Sequence, residues 1–276
     1  MMRAMYSAIS GLRTHQVMLD VAANDLANVN TIGFKASRTT FADSLSQLQR
    51  GATAADAAGG GQNAAQIGLG VRLGSIDNLM SAGALQATGN VSDLAISGDG
   101  WFRVARTLDG PVEYTRAGNF SRNANGDLTT QDGYLIVGTN FDPAGPGPGN
   151  VPTALNIPDT ATNLSIGQDG LVSYDDGTGA RTYAGYITLA KFANEAGMTR
   201  SGGSRWIQSA TSGAEAVSVP SRDGFGQVIS GAVEMSNVDM AAEFTNMITA
   251  QRGFQASSRV ISSSDQMLQD LVNLQR

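Results

Sequence analysis

The chain carries helical seven-residue periodicity at its two ends and nowhere between them. Met5, Leu12, Leu19 and Leu26 recur every seven residues, and Ile9, Gln16, Ala23 and Asn30 form a second, more polar row behind them. Met240, Met247, Phe254, Ile261 and Leu268 repeat the pattern near the other end, with Phe244, Gln251, Ser258, Asp265 and Val272 as the companion row. Such 3-4 spacing is the seam of a helix that packs lengthwise on another helix. Ordinary core packing is the plain alternative. Against it stand the separation of the two helices and the half-polar second rows, which suit several neighbours better than one private core. Gly11 reads as the one interior flaw, costing about 1 kcal/mol relative to Ala. Ser236 or Asn237 is the expected N-cap of the second helix.

The interior reads as β structure. Glycine is abundant, 34 of 276 residues, against roughly 7% in average usage. Asp-Gly or Asn-Gly pairs at 99–100, 109–110, 125–126, 132–133, 169–170, 176–177 and 223–224 supply hairpin turns. Between them lie short β-type runs at 101–106, 112–116, 134–138, 171–174, 181–190 and 226–235, the spacing of an antiparallel sandwich or barrel-like body. Residues 51–66 are low-complexity and read as flexible, and 142–152 reads as a surface loop. The expected class is therefore α+β. Residues 1–30 and 237–276 form one discontinuous, coiled-coil-like assembly domain. Residues 31–70 make an extended, flexible connection, and 71–236 form the β-rich body.

Little chemistry is available. With no cysteine there is no disulfide, thiol catalysis or Cys-ligated metal. His15 is the single histidine and sits inside a helix, the place of a packing or surface residue. The stretch 123–127 has a calcium-loop flavour but lacks the distal acidic ligand, so it reads as a turn. Asp175 and Asp176 would point to opposite faces of a strand, and Gly68, Gly70 and Gly74 miss the dinucleotide spacing. A net charge of −6 without basic clusters argues against nucleic acid. The first helix is not a secretory signal, and no stretch approaches the roughly 18–20 apolar residues of a membrane span. The expectation is no enzyme, no cofactor, no metal and no membrane insertion.

The stretch NDLANVNTIGFK (24–35) resembles the N-terminal signature of the bacterial flagellar rod and hook axial protein family. The matching residues are Asn24, Leu26, Ala27, Asn28, Thr31, Gly33 and Phe34, while Asp25 stands where a second Asn is more usual. Residues 80–104 and 114–138 are similar to the family's β-domain segments, and 230–274 to its C-terminal helix region. The resemblance implies subunits that stack into a hollow helical tube walled by their terminal helices. Self-assembly would then fall to Met5, Ile9, Leu12, Leu19 and Leu26 of the first helix and to Phe244, Met247, Phe254, Ile261 and Leu268 of the second. It implies as partners other copies of the chain, adjacent rod and hook-junction proteins, a hook cap and the flagellar type III export apparatus. That apparatus would place the chain outside the cytoplasmic membrane without a cleaved signal. The phrasing is most similar to compact hook proteins, which join rod to filament. The distal rod protein is the closest alternative, sharing nearly all these motifs and a comparable segment after the first helix. The rival of another class is a monomeric periplasmic or extracellular β-rich binding module. Burial of four apolar residues per helix falls short of the ordering cost, so the ends are expected to order only on assembly.

Overall fold

A computed structural model describes residues 2–52, 54, 60–108, 110–141 and 153–274. The fold is α+β, with one helix near each end of the chain and antiparallel strands between. The chain divides into two compact units, residues 1–27, 37–78 and 239–276 in the first and 28–36 with 79–238 in the second.

The first unit is built on helices α1 (Met2–Ala27) and α2 (Met240–Leu274). They run antiparallel: Gly11 lies against Ser257 and His15 against Gly253. Asp239 caps α2, its Oδ1 accepting from the N–H groups of Ala241 (2.9 Å) and Ala242 (3.3 Å). The expected caps, Ser236 and Asn237, precede it in the second unit. The first unit also holds a two-stranded ribbon, Ser37–Asp43 paired with Val71–Asn78 and Ser46–Arg50 paired with Ala65–Gly68. The Val71 N–H donates to Ser10 Oγ of α1 (3.2 Å). A register shift between Thr40 and Phe41 lies beside the Phe41 ring, which meets His15 edge-on at 5.9 Å.

That ribbon corrects the expected flexible connection over 31–70. Residues 37–50 and 65–78 pair across it, and 28–36 belong to the β unit. The body accordingly begins at Leu79, not 71, and α1 stops at Ala27, where a turn over Asn28–Thr31 begins. Of the low-complexity stretch, 53 and 55–59 lie outside the described residues, as do Asp109 and 142–152.

The second unit is a β body. Its largest sheet runs Thr162–Ile166, Leu171–Asp175, Arg181–Ile187, Leu135–Thr139, Trp101–Ala105, Val112–Thr115, Arg205–Ile207 and Thr199–Gly202 in spatial order, antiparallel throughout. The run 181–190 breaks at Thr188, whose buried hydroxyl donates to the Val137 carbonyl (2.8 Å), and 226–235 breaks at Gly231. One core gathers Leu94, Ile96, Phe102, Val104, Ile136, Leu155, Ile187 and Leu189; a smaller one is aromatic, with Trp101, Tyr114, Phe192 and Trp206. The 123–127 stretch is a turn in which the Asn123 side chain accepts from the N–H groups of Asn125 and Asp127 (2.9 and 2.8 Å).

At the edge of the aromatic core the Tyr114 hydroxyl donates to Glu215 Oε2 (2.9 Å), and Arg103 grips both oxygens of that carboxylate (3.1 and 3.3 Å). Burial, then the Glu215 charge and hydrogen bond, push the Tyr114 hydroxyl well above its ordinary value near 10. Above about pH 10 the unfolded chain releases this proton while the folded one keeps it, so the stability it contributes is present below that pH and lost as pH rises. Burial raises Tyr186 as well, but among the six tyrosines Tyr114 should be the last to ionise in alkaline ultraviolet difference spectra, resisting until the body unfolds. Tyr114→Phe should remove that late component, and its persistence in the variant would refute the assignment.

Candidate assembly surface and the clasp under the motif

The closest approach of α1 to α2 is at small residues. A Cβ on Gly253 would lie 2.5 Å from the His15 ring, and one on Gly11 would lie 3.2 Å from Ser257 Oγ. Gly11 is therefore a packing position, not a flaw. The α1 residues that are fully buried are Ala8, Thr14, Ala22 and Asp25, while Met5, Ile9, Leu12, Leu19 and Leu26 are half-buried. On α2 the expected row Met247, Phe254, Ile261 and Leu268 is half-buried, whereas Met240 is exposed. Its inward companions are Ala250, Ser257 and Ser264. The companion row lies away from α1: Phe244 and Val272 are 49% and 66% exposed.

Apolar side chains thus remain in solvent on two flanks of α2. Met240, Phe244 and Ile248 lie one helical turn apart along its first half, and Val260, Met267, Leu271 and Leu274 mark its second half. Among the described residues no helix is long and apolar enough to cross a membrane.

The motif residues divide between the units. Asn24 and Ala27 are exposed on the last turns of α1, and Leu26 is half-buried there. Asp25, the departure from the usual pattern, is fully buried, and its Oδ2 accepts the Ser37 N–H at the start of the ribbon (2.8 Å). In the second unit, the Thr31 hydroxyl donates to Asn28 Oδ1 (3.1 Å), closing the turn. Gly33 has φ +66°, and a Cβ there would lie 2.4 Å from the Ala117 nitrogen, so only glycine fits. Its N–H donates to the Glu234 carbonyl (2.8 Å). The Arg200 guanidinium lies between the Phe34 and Trp206 rings, at 4.9 and 5.0 Å.

Beneath the motif is a buried charge cluster that sequence reasoning missed. Glu234 is 0% exposed. It takes Lys35 Nζ at 2.6 Å and the Gly83 N–H at 2.9 Å on Oε1, and Arg116 at 3.2 Å on Oε2. Two further donors go to backbone, Lys35 to the Ser81 carbonyl and Arg116 to that of Gly98 (both 2.9 Å), while Arg116 Nε is buried without a hydrogen-bond partner among the described residues. Burial pushes the Lys35 ammonium below its ordinary value, and Glu234 opposes that shift. The available signal was an acid inside the apolar run GAVEM, together with a lysine ending the motif. Beside the cluster Asn237 accepts the Ala36 N–H (2.7 Å) and donates to the carbonyls of Leu79 (2.8 Å) and Ser81 (3.1 Å).

Three family models match in chain order. They are "Flagella basal body rod protein" over residues 5–35, "Flagellar hook protein FlgE/F/G D1 domain" over 95–174, and "Flagellar basal body rod FlgEFG protein C-terminal" over 229–274. The chain is 47% identical to the flagellar basal-body rod protein FlgG of Bacillus subtilis, with all of both chains covered. The chain belongs to the flagellar rod and hook axial protein family. It is 39% identical to the FlgG rod protein of Agrobacterium fabrum, over 96% of this chain and 97% of that one. The flagellar hook protein FlgE of Borreliella burgdorferi is 27% identical, over 99% of this chain and all of its own, in an alignment of 442 residues. As a member of the rod and hook family the protein is a structural component of the flagellar axis.

Glu234→Gln leaves two buried cations facing a neutral amide and should cost about 3–5 kcal/mol. Lys35→Met should cost less, because the Arg116 pair survives. Urea unfolding followed by Trp101 and Trp206, the two tryptophans of the chain, reports on this unit directly. A loss under about 1 kcal/mol for Glu234→Gln would remove the cluster from the stability of the body.

Proposed function

We propose that this chain is the subunit of the distal flagellar rod, polymerising through α1 and α2 into a hollow axial tube. The observation that carries assembly is the exposed apolar surface on both flanks of α2, on a helix whose third side already faces α1. One partner covers one side; neighbours on the remaining flanks would cover the others. The seam residues named from the sequence then act at two levels. Met247, Phe254, Ile261 and Leu268, with Met5, Leu12, Leu19 and Leu26, support the pair within a chain, while Ile9 on the far face of α1 and Phe244 with Ile248 on α2 face other copies.

The sequence phrasing ranked hook ahead of distal rod. Relatives named rod protein support the reverse order, since they align end to end at 34–47% identity. The hook relative needs 442 aligned positions for the same 276 residues. Adjacent rod and hook-junction proteins and the type III export apparatus follow as partners of this reading, and the position lies outside the cytoplasmic membrane. Electron micrographs of a deletion strain decide between the two members. An absent or truncated distal rod is the expected phenotype, and complete straight rods lacking hooks would overturn it.

Phe244→Asp combined with Ile248→Asp should raise the critical concentration for polymers at least tenfold. Each side chain loses about 1 kcal/mol of apolar burial and brings a charge into the interface. Sedimentation measures this, while tryptophan fluorescence should show the body unchanged. Because the fully buried positions of the helix pair are small or polar and its larger apolar residues are only half-buried, limited apolar area stabilises an isolated pair. Amide exchange across α1 and α2 in the dilute subunit should therefore be fast beside that of 135–139 or 232–234, and slow in the polymer. Equal protection in both states would refute folding coupled to assembly.

A further inference from the structure

We propose that the groove between α1 and the start of the Val71–Asn78 strand receives the last turns of α2 from a second copy of this chain. This rests on the assembly reading and names the contact that would propagate it. The groove, about 410 Å³, is floored by Ile9, Val17 and Leu73, with Tyr6 at its rim. Two cations, Arg13 and Arg72, line it as well. Tyr6 is 65% and Leu73 37% exposed, so among the described residues none covers this apolar floor.

The occupant follows from what α2 leaves uncovered. Met267, Leu271 and Leu274 are 47, 48 and 83% exposed, at spacings that put them on one face. Between Arg259 and Arg276 the only charges in the sequence are Asp265 and Asp270. An apolar, acid-edged helix thus matches an apolar, arginine-edged groove in both character and sign. The same chain's tail cannot supply it. Its α2 lies along the Gly11 and His15 face of α1, and a continuous helix cannot turn back to the Tyr6 and Ile9 face. Groove and tail are different patches of one unit, so each copy that gives its tail still offers its groove. A contact of that kind is heterologous and extends into a filament instead of closing on a dimer.

The absence of cysteine makes the test direct. Full-length Tyr6→Cys is mixed with full-length Leu271→Cys under polymerising conditions and oxidised. A disulfide-linked species of about twice 28.6 kDa should form. Its yield should be at least about tenfold that of a Tyr183→Cys and Leu271→Cys mixture, Tyr183 being 41% exposed on the other unit. In separate samples, Arg72→Glu should raise the critical concentration about fivefold, and Asp270→Arg in the same chain should return it to within about twofold. Polymers that form without Tyr6–Leu271 cross-links above the control yield would overturn the groove contact and leave the assembly reading standing. Failure of the unsubstituted chain to polymerise at any concentration would overturn both.

Discussion

Glu234 holds two cations on one buried carboxylate, and three separate stretches of the chain meet because of it. Lys35 brings the segment that follows α1, Arg116 brings the strand edge at 112–115, and Glu234 itself ends the last strand before α2. None of these groups can be left unpaired at such depth without a cost of several kcal/mol. The body is closed only when the segments on both sides of the helical unit have docked. Gly33 allows the docking by letting the motif backbone press on Arg116–Ala117, where a Cβ would collide. The end of the family motif thus acts as a clasp on the body: its glycine gives approach, its aromatic ring lies against Arg200, and the lysine behind it carries the charge.

The helices were legible from the sequence because their periodicity spans many residues, and the row Met247, Phe254, Ile261 and Leu268 does turn inward. The small residues Ala250, Ser257 and Ser264, which also turn inward, were not legible, because hydrophobic periodicity does not register them. Close helix approach needs small side chains, and small side chains carry almost no hydropathy signal. The same blindness turned Gly11 into a defect. The strands of the body were visible through their turn glycines. The ribbon over 37–78 was not, since three of its four strands are mostly exposed and a register shift at Thr40–Phe41 breaks the alternation of the other.

The hidden polar cluster illustrates a different limit. Lys35, Arg116 and Glu234 are far apart in sequence, and each alone reads as an ordinary surface charge. Only the tertiary fold makes them neighbours. Asp25 is similar: what reads as a departure from the motif is a buried acceptor for the first N–H of the ribbon.

The two units therefore spend their side chains in opposite ways. The β body buries large residues to 0% exposure and pairs the buried charges Lys35, Arg116 and Glu234 internally. The helical unit keeps a small-residue seam and leaves large apolar side chains outside, from Tyr6 on α1 to Leu271 on α2. A chain selected to be stable alone would place those residues in the seam, where each would contribute roughly 1.5–3 kcal/mol on burial. Placing them on the outer flanks forgoes that stability in the single subunit and, in the proposed assembly, reserves it for contacts between copies. The glycine and serine seam is what permits this, since it brings two helices together on little area and frees their larger side chains for neighbours.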